Sequence, residues 1–359
     1  MSAPTLSPPT PAAPHRESAA SRLAWRILPH VAAVALAFSV AAIVITLLGH
    51  DPIEAFRSIT TTSFRSSFGI VQTLQKWVPL VLLALAFTIP LASGRYNIGG
   101  EGQLLLGATG AAGVGIVLSD LPAVVLLPMV ILSGILAGAV WAGVAAFLME
   151  RFGVNEILST VLLNFVSFAI VDYVASEVWP DPGAGFPSTI RVSDSALLPG
   201  IGNPPMHSGV LLTVLVVAVV ALALRHSVAG FELRAVGANP RASRVHGIRT
   251  GRIAAGALVL GGALGGLAGS LEVAGVHERL LEGMAANYLL LGIIIGLIAR
   301  GNAIAVPFVA FGIAVLEVGA SAMQRTAGVP SELVLIVEAL ILLFLLLSDV
   351  VSARLRRSR

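Results

Sequence analysis

Two runs of the chain hold residue types that are costly among apolar neighbours. The first is Asn97-Ile98-Gly99-Gly100-Glu101-Gly102-Gln103. Three Gly in four positions disfavour a regular helix start, and a carboxylate with two amides is expensive in lipid unless it meets water or partners. The run predicts an unwound segment at a cavity or helix junction, or polar groups satisfied by neighbouring loops. The second runs from Asn155 to Ser167. At 100° per residue Glu156, Ser159, Thr160, Asn164 and Ser167 share one stripe about 140° wide, with Asp172 off it, so this segment has a wet or protein-facing side. Glu177, Glu272, Glu317 and Glu338 form a dispersed acidic set. If they converge they can accept hydrogen bonds from the hydroxyls of a polar solute; if not, each merely sits near an interface. Phe165, Phe168, Tyr173, Tyr288 and Phe311 offer ring faces on which a base or sugar can stack. The candidates for a solute pathway are Asn97, Glu101, Gln103, Glu156, Thr160, Asn164, Phe165, Asn287 and Glu317.

Several chemistries have no residues to carry them. The chain has no Cys, and its seven His form no ligand-spaced pair, so a thiol nucleophile, a disulfide framework and a metal site are not expected. It contains no G-x-x-x-x-G-K-[ST] phosphate loop, no G-x-S-x-G elbow and no H-E-x-x-H pair, which leaves no catalytic residue to name. If the chain does work, the energy comes from a partner or an ion gradient.

The elements that must hold these residues follow from composition. Of 359 residues, 56% are apolar and 11% charged, with a mean hydropathy of +0.92. A soluble domain carries about a quarter charged residues, so the solvent is a bilayer. Apolar windows fall at about 27–48, 71–92, 101–118, 122–148, 155–178, 208–224, 252–275, 284–299, 303–321 and 331–348. At roughly 20 residues per crossing this predicts an all-α polytopic membrane protein of about ten transmembrane helices. With the N-terminus inside, sixteen of the twenty-two Lys and Arg fall on inner segments, and Arg57, Arg65, Lys76, Arg191, Arg279 and Arg325 remain outside. That bias places both termini in the cytoplasm. It also accounts for a pI near 9.9 without nucleic acid. Residues 1–24, rich in Pro, Ala and Ser, read as a disordered tail; residues 25–350 form the transmembrane domain, and 351–359 a basic cytoplasmic tail. The first window is too long for a signal-peptide core, so it is read as an uncleaved helix.

Two loops stand out. Residues 179–207 are external and punctuated by Pro and Gly, a composition that gives an ordered irregular loop or short surface helices. Residues 225–251 are internal and spell out a short helix. Asn239 can cap it, Pro240 suits its first position, Arg241 to His246 make about two turns, and Gly247 can take the left-handed conformation that ends it. Within the spans, Gly261, Gly265 and Gly269 beside Gly262 and Gly266, Gly134 with Gly138, and Gly292 with Gly296 form small-residue rows. Such rows let backbones approach where lipid supplies no hydrophobic drive, as packing inside one bundle or at a gate or dimer face.

Taken in order, the Asn97–Gln103 run, Val154-Asn155-Glu156 through Thr160 to Asn164, Gly237-Ala238-Asn239-Pro240 through Gly247-Ile248, and Gln324 to Pro330 with its apolar tail resemble the permease subunits of ABC importers. The branch is that of simple-sugar, branched-chain amino acid and nucleoside uptake, and the likeness covers about residues 70–348. The first two runs look most like nucleoside permeases. The stretch Gly-Leu-Ile-Ala-Arg-Gly-Asn at 296–302 departs from the expected pattern, so a monosaccharide, then a branched-chain amino acid, remain alternatives. The resemblance implies that the loop helix is a coupling helix seated in an ATPase cleft, with Arg234, Gly237, Ala238, Asn239, Pro240, Arg241, Arg244 and Gly247 forming that element. It implies ATP and Mg on separate ATPase chains and no cofactor on this one. A second permease chain, identical or related, and an external solute-binding lipoprotein complete the assembly, which sits multi-pass in a bacterial plasma membrane. On the residues alone, a proton-coupled transporter working through Glu101, Glu156 or Glu317 is the competing reading, and a sensory or structural membrane protein a third.

Overall fold

The computed structural model describes residues 19–285 and 287–328 and scattered positions between 330 and 348, with side-chain surroundings from residue 32 onward. Residues 1–18, eight of the eighteen residues of the tenth window, Glu338 among them, and the tail 351–359 lie outside the described residues. Helix α1 (Ala19–Leu47) begins six residues before the expected boundary at Trp25, because Ala19, Ala20, Arg22 and Leu23 are good helix formers and extend the apolar segment backward. Helix α2 (Pro52–Phe64) occupies a stretch expected only as external surface. Asp51 caps it by accepting from the Ile53 and Glu54 amides at 2.8 and 3.4 Å, and Pro52 holds the first position. Its Ile59 packs against Gly319, where a Cβ would lie 2.5 Å from the Ile59 methyl.

Helix α3 (Ser67–Ala92) runs through the middle of the bundle, buried along most of its length. Around it stand α4 (Gly100–Val117), α5 (Ala123–Phe152), α6 (Glu156–Tyr173), α7 (Gly209–His226), α10 (Thr250–Glu272), α11 (Tyr288–Ile298) and α12 (Val306–Ala327). Two short helices, α8 (Val228–Ala238) and α9 (Pro240–Val245), precede α10. Among the described residues, six helices are long and apolar enough to cross a membrane: α3, α5, α6 with the π turn that extends it to Val178, α7, α10 with its own π turn to His277, and α12. The chain is therefore a multi-pass helical membrane protein. The windows for α4 and α11 also form helices; α4, with 18 residues, is as long as α7, whereas α11 is too short for a full straight crossing. With 11 residues, α11 rises about 16 Å, half the hydrocarbon thickness.

The glycine rows explain how the central helices close. Gly262 and Gly266 of α10 sit against the backbone of Gly138 and Gly134 of α5, so close that a Cβ on either side would overlap a carbonyl. The second row, Gly261, Gly265 and Gly269, faces Ala86 of α3 and then Gln103 and Leu104 of α4. One helix thus serves two partners with two rows, and Gly292 and Gly296 bring α11 onto Leu83 and Phe87 of α3 in the same manner. With no water to displace, this backbone proximity and its dispersion hold the bundle.

Residues 179–207 form an ordered irregular loop with a short 3₁₀ turn at Asp194–Ala196 and a two-residue antiparallel ladder of β1 (Gly200–Ile201) and β2 (Met206–His207). It is clamped to the segment after α10. Arg191 donates to Glu278 at 2.6 Å and Arg279 to Asp181 at 2.6 Å. The Gly183 amide, then Arg279, hold the Asp181 carboxyl below the ordinary carboxylate range.

Candidate functional site

The two polar runs meet, and they meet each other. After α3 ends, residues 94–99 turn back into the bundle, and α4 begins at Gly100 beside Leu83 of α3 and Leu289 of α11, well within the helix layer. Asn97 and Gln103 form a reciprocal amide pair, Nδ2 to Oε1 at 2.9 Å and Nε2 to Oδ1 at 2.8 Å, and Asn97 also donates to the Ala86 carbonyl at 3.2 Å. Asn164 crosses from α6 to accept from the Gly102 amide at 2.9 Å and donate to the Ile98 carbonyl at 2.8 Å. Thr160 accepts from the Ile98 amide at 3.3 Å, and Glu156 pairs with Arg95 at 3.2 Å. Gly99 offers α4 no side-chain cap, so Asn164 satisfies one of its orphan first-turn amides from another helix.

The stripe on α6 is therefore protein-facing. Asn97, Gln103, Thr160 and Asn164 are buried with their polar groups committed to this knot. They position backbone instead of lining open space. Phe165, proposed as a stacking face, is 63% exposed on the opposite side of α6 and touches Phe168 edge-on. Glu101 stands apart from the knot. Its carboxyl takes a backbone hydrogen bond from Leu289, so it serves the N-terminus of α11 from the N-terminus of α4. The anion-seeking ends of two helices are joined through one side chain.

Above this junction lies a cavity of about 280 Å³. Gln72 and Lys76 reach it from the outer turns of α3, Glu272 and His277 from the end of α10, Tyr288 from the first residue of α11 and Glu317 from α12. The dispersed acidic set thus converges in part: Glu272 and Glu317 share the cavity, whereas Glu177 is exposed on the π turn after α6. Lys76 supplies the cation that an outer carboxylate lacks in the sequence pattern. Its Nζ lies 3.4 Å from Glu317 and 4.4 Å from the centre of the Tyr288 ring. Asn287, left-handed at φ 66°, is exposed just ahead of Tyr288. Among the described residues no group of His, Asp and Glu is arranged to hold a metal ion.

In the 225–251 loop, the short helix forms as its end signals require. Asn239 accepts from the Arg241 and Ala242 amides, both at 3.1 Å, Pro240 opens α9, and Gly247 takes φ 83°. Arg241, Arg244 and Val245 point outward. Arg234, on α8, instead donates to the Leu224 carbonyl. Gly237, near the end of α8, lies against the Ala92 carbonyl and Gly94 so closely that a Cβ would overlap the former. The loop helix is therefore braced on the turn that leads into the Asn97 knot. Sequence reasoning missed α8, although Ser227, which caps it by accepting from Gly230 at 3.0 Å, was a usable signal.

A multi-pass helical bundle with a polar cavity, helices broken within the bundle and a capped loop helix has the parts of a membrane permease. The family model described as "branched-chain amino acid transport system / permease component" matches residues 69–346, and the chain belongs to that family, as the membrane subunit of an ABC-type transporter. Among its relatives, the glucose ABC transporter permease protein TsgB13 of Haloferax volcanii is 36% identical, over 89% of this chain and 87% of that protein. The guanosine ABC transporter permease protein NupP of Bacillus subtilis is 30% identical over 90% and 93%. The nucleoside ABC transporter permease protein NupB of Lactococcus lactis is 26% identical over 93% and 94%.

Proposed function

We propose that this permease imports a nucleoside across the plasma membrane of a bacterium, driven by ATP and Mg on separate ATPase chains, with no cofactor of its own. The observation that carries the coupling half of this reading is α9. It is a capped helix with two outward Arg, attached through Gly237 to the turn at Gly94. Movement of α9 with an ATPase would reach the α4–α11 junction, and through it the floor of the outer cavity, by way of backbone packing. The topology we assign has about ten crossings with both termini inside. In it, α3 and α4 together turn within the membrane, and the descent from Glu278 to α11 completes a crossing that α11 alone is too short to make. A second permease chain, identical or related, completes the translocating pair, and the clamped loop at 179–207 with the 49–70 segment receives a solute-binding lipoprotein.

Nucleoside specificity is supported by the Asn97–Gln103 and Asn155–Asn164 runs and by two relatives named for guanosine and nucleosides. The second reading, a monosaccharide, is favoured by the 36% identity with a protein named for glucose. Binding of guanosine and glucose to the cognate solute-binding protein separates them; tight glucose binding without guanosine binding overturns the nucleoside choice. The coupling half is tested by Arg241→Glu combined with Arg244→Glu. That pair abolishes uptake and ATPase association while insertion continues, and uptake at the wild-type rate would refute it.

A further inference from the structure

The outer cavity has walls made by interruptions in helices. The π turn at Val273–His277 ends α10 there, and α11 starts there in mid-layer. Irregular backbone at such depth is tolerated where it lines a wet cavity. Its roughly 280 Å³ lies at the small end of ligand pockets, which run upward from about 300 Å³, and suits a single ring.

Its chemistry is specific. Glu272 is 2% exposed. Its Oε2 stands in ion-pair reach of His277 Nε2, at 3.1 Å, and has no hydrogen-bond donor among the described residues. A buried carboxylate oxygen without a donor is costly and takes one from whatever enters. Glu317 is already neutralised by Lys76, and Lys76 covers one face of the Tyr288 ring, so that face is closed to stacking. Arg325 also lines the cavity, so its two carboxylates, Glu272 and Glu317, share it with two cations, Lys76 and Arg325. Gln72 adds an amide that both donates and accepts. An anion meets the Glu272 carboxylate, and an apolar ring leaves its oxygen bare. A neutral ring bearing hydroxyls satisfies both sides, since each hydroxyl donates one hydrogen bond and accepts others.

We infer that this cavity is a binding site for the hydroxylated ring of a neutral solute, with Glu272 Oε2 accepting from a ring hydroxyl and Gln72 and Lys76 donating to it. The inference rests on the reading of the chain as an importer of sugar-ring solutes. The test uses the complete importer, with its ATPase, second permease and binding protein, in proteoliposomes supplied with labelled guanosine, 2′,3′-dideoxyguanosine, glucose or leucine. The uptake ratio of guanosine to its dideoxy analogue is divided by the ratio of their affinities for the isolated binding protein. In the wild type the corrected ratio stands at about tenfold or more, and in Glu272→Gln it falls toward one, whereas a general folding defect lowers both rates together. Ser321→Trp, which fills the cavity from an exposed position on α12, lowers uptake of the carried solute at least about tenfold; Glu177→Gln, remote from the cavity, keeps the wild-type ratio. If glucose is carried, 2-deoxyglucose replaces the dideoxynucleoside. A corrected ratio unmoved by Glu272→Gln, or full uptake in Ser321→Trp, overturns the inference. Wild-type uptake of leucine with neither guanosine nor glucose overturns the proposed function itself, and shows as much before any variant is made.

Discussion

Asn164 does for α4 what a capping residue ordinarily does for its own helix, reaching across from α6 to the Gly102 amide while holding the Ile98 carbonyl. Replacing it by Ala strands both backbone groups in a buried site, at about 1–3 kcal/mol each. Asn164→Ala is therefore expected to lower the thermal unfolding midpoint in detergent clearly, while Phe165→Ala, on the exposed face, leaves it near the wild-type value. His207 gives a second residue-scale expectation. It is buried under the external loop against Gly275 and Gly209, and neither ring nitrogen has a hydrogen-bond partner. Burial pushes its pKa down, against an opposing pull from the Glu272 carboxylate. A His with a depressed folded pKa contributes stability that is complete above its unfolded value, about 6.5, and drains away as pH falls from there toward the folded pKa. Protection factors for amide exchange at residues 206–209, corrected for the intrinsic pH dependence of exchange, should fall as pH is lowered below about 6.5, and His207→Phe should flatten that dependence. The polar residues of the two runs were legible in the sequence because each is expensive in lipid. Whether they faced a solute or one another was not, since a helical stripe names a face but not the partner some 60 residues away.

At the scale of elements, the proposed coupling reading divides the task between α9 and α8, and substitutions should divide it too. Asn239→Ala removes a cap worth about 1 kcal/mol, or about fivefold in helix population, and weakens ATPase association by a comparable factor in a pull-down titration. Gly237→Val drives a side chain into the Ala92 carbonyl. It should preserve ATPase association yet abolish uptake, because α8 loses its seat on the turn before Asn97; normal uptake would show that the brace carries no motion. The contrast follows legibility as well. Both ends of α9 are set by local chemistry, an Asn-Pro start and a Gly stop, and the sequence displays them in full. The caps of α2 and α8, Asp51 and Ser227, were equally local but opened short helices that bury small or polar residues, Ser58 and Ser63 in α2 and Gly230 in α8, and so stood out little as apolar runs. The unwound entry to α4 and the shortness of α11 were hidden because hydropathy reports an apolar run and is blind to the depth at which its helix begins.

For the whole molecule, the sequence contains no Cys, so single cysteines can be placed without background. Cysteines at Ser195 and Arg241 are expected to react from opposite sides of the membrane with an impermeant maleimide on intact cells, Ser195 directly and Arg241 only after permeabilisation. Equal labelling would refute the topology.

Where α5 and α10 meet, backbone lies on backbone, with Gly134 and Gly138 against Gly266 and Gly262. Between α7, α8 and α10, by contrast, an apolar cleft of about 430 Å³ remains. The first contact has no side chains to re-sort and so only one way to fit; the second has room to slide. On the proposed coupling reading, α5 and α10 form a frame locked by glycine, and α7 and α8, beside the open cleft, are the part that an ATPase can move against it.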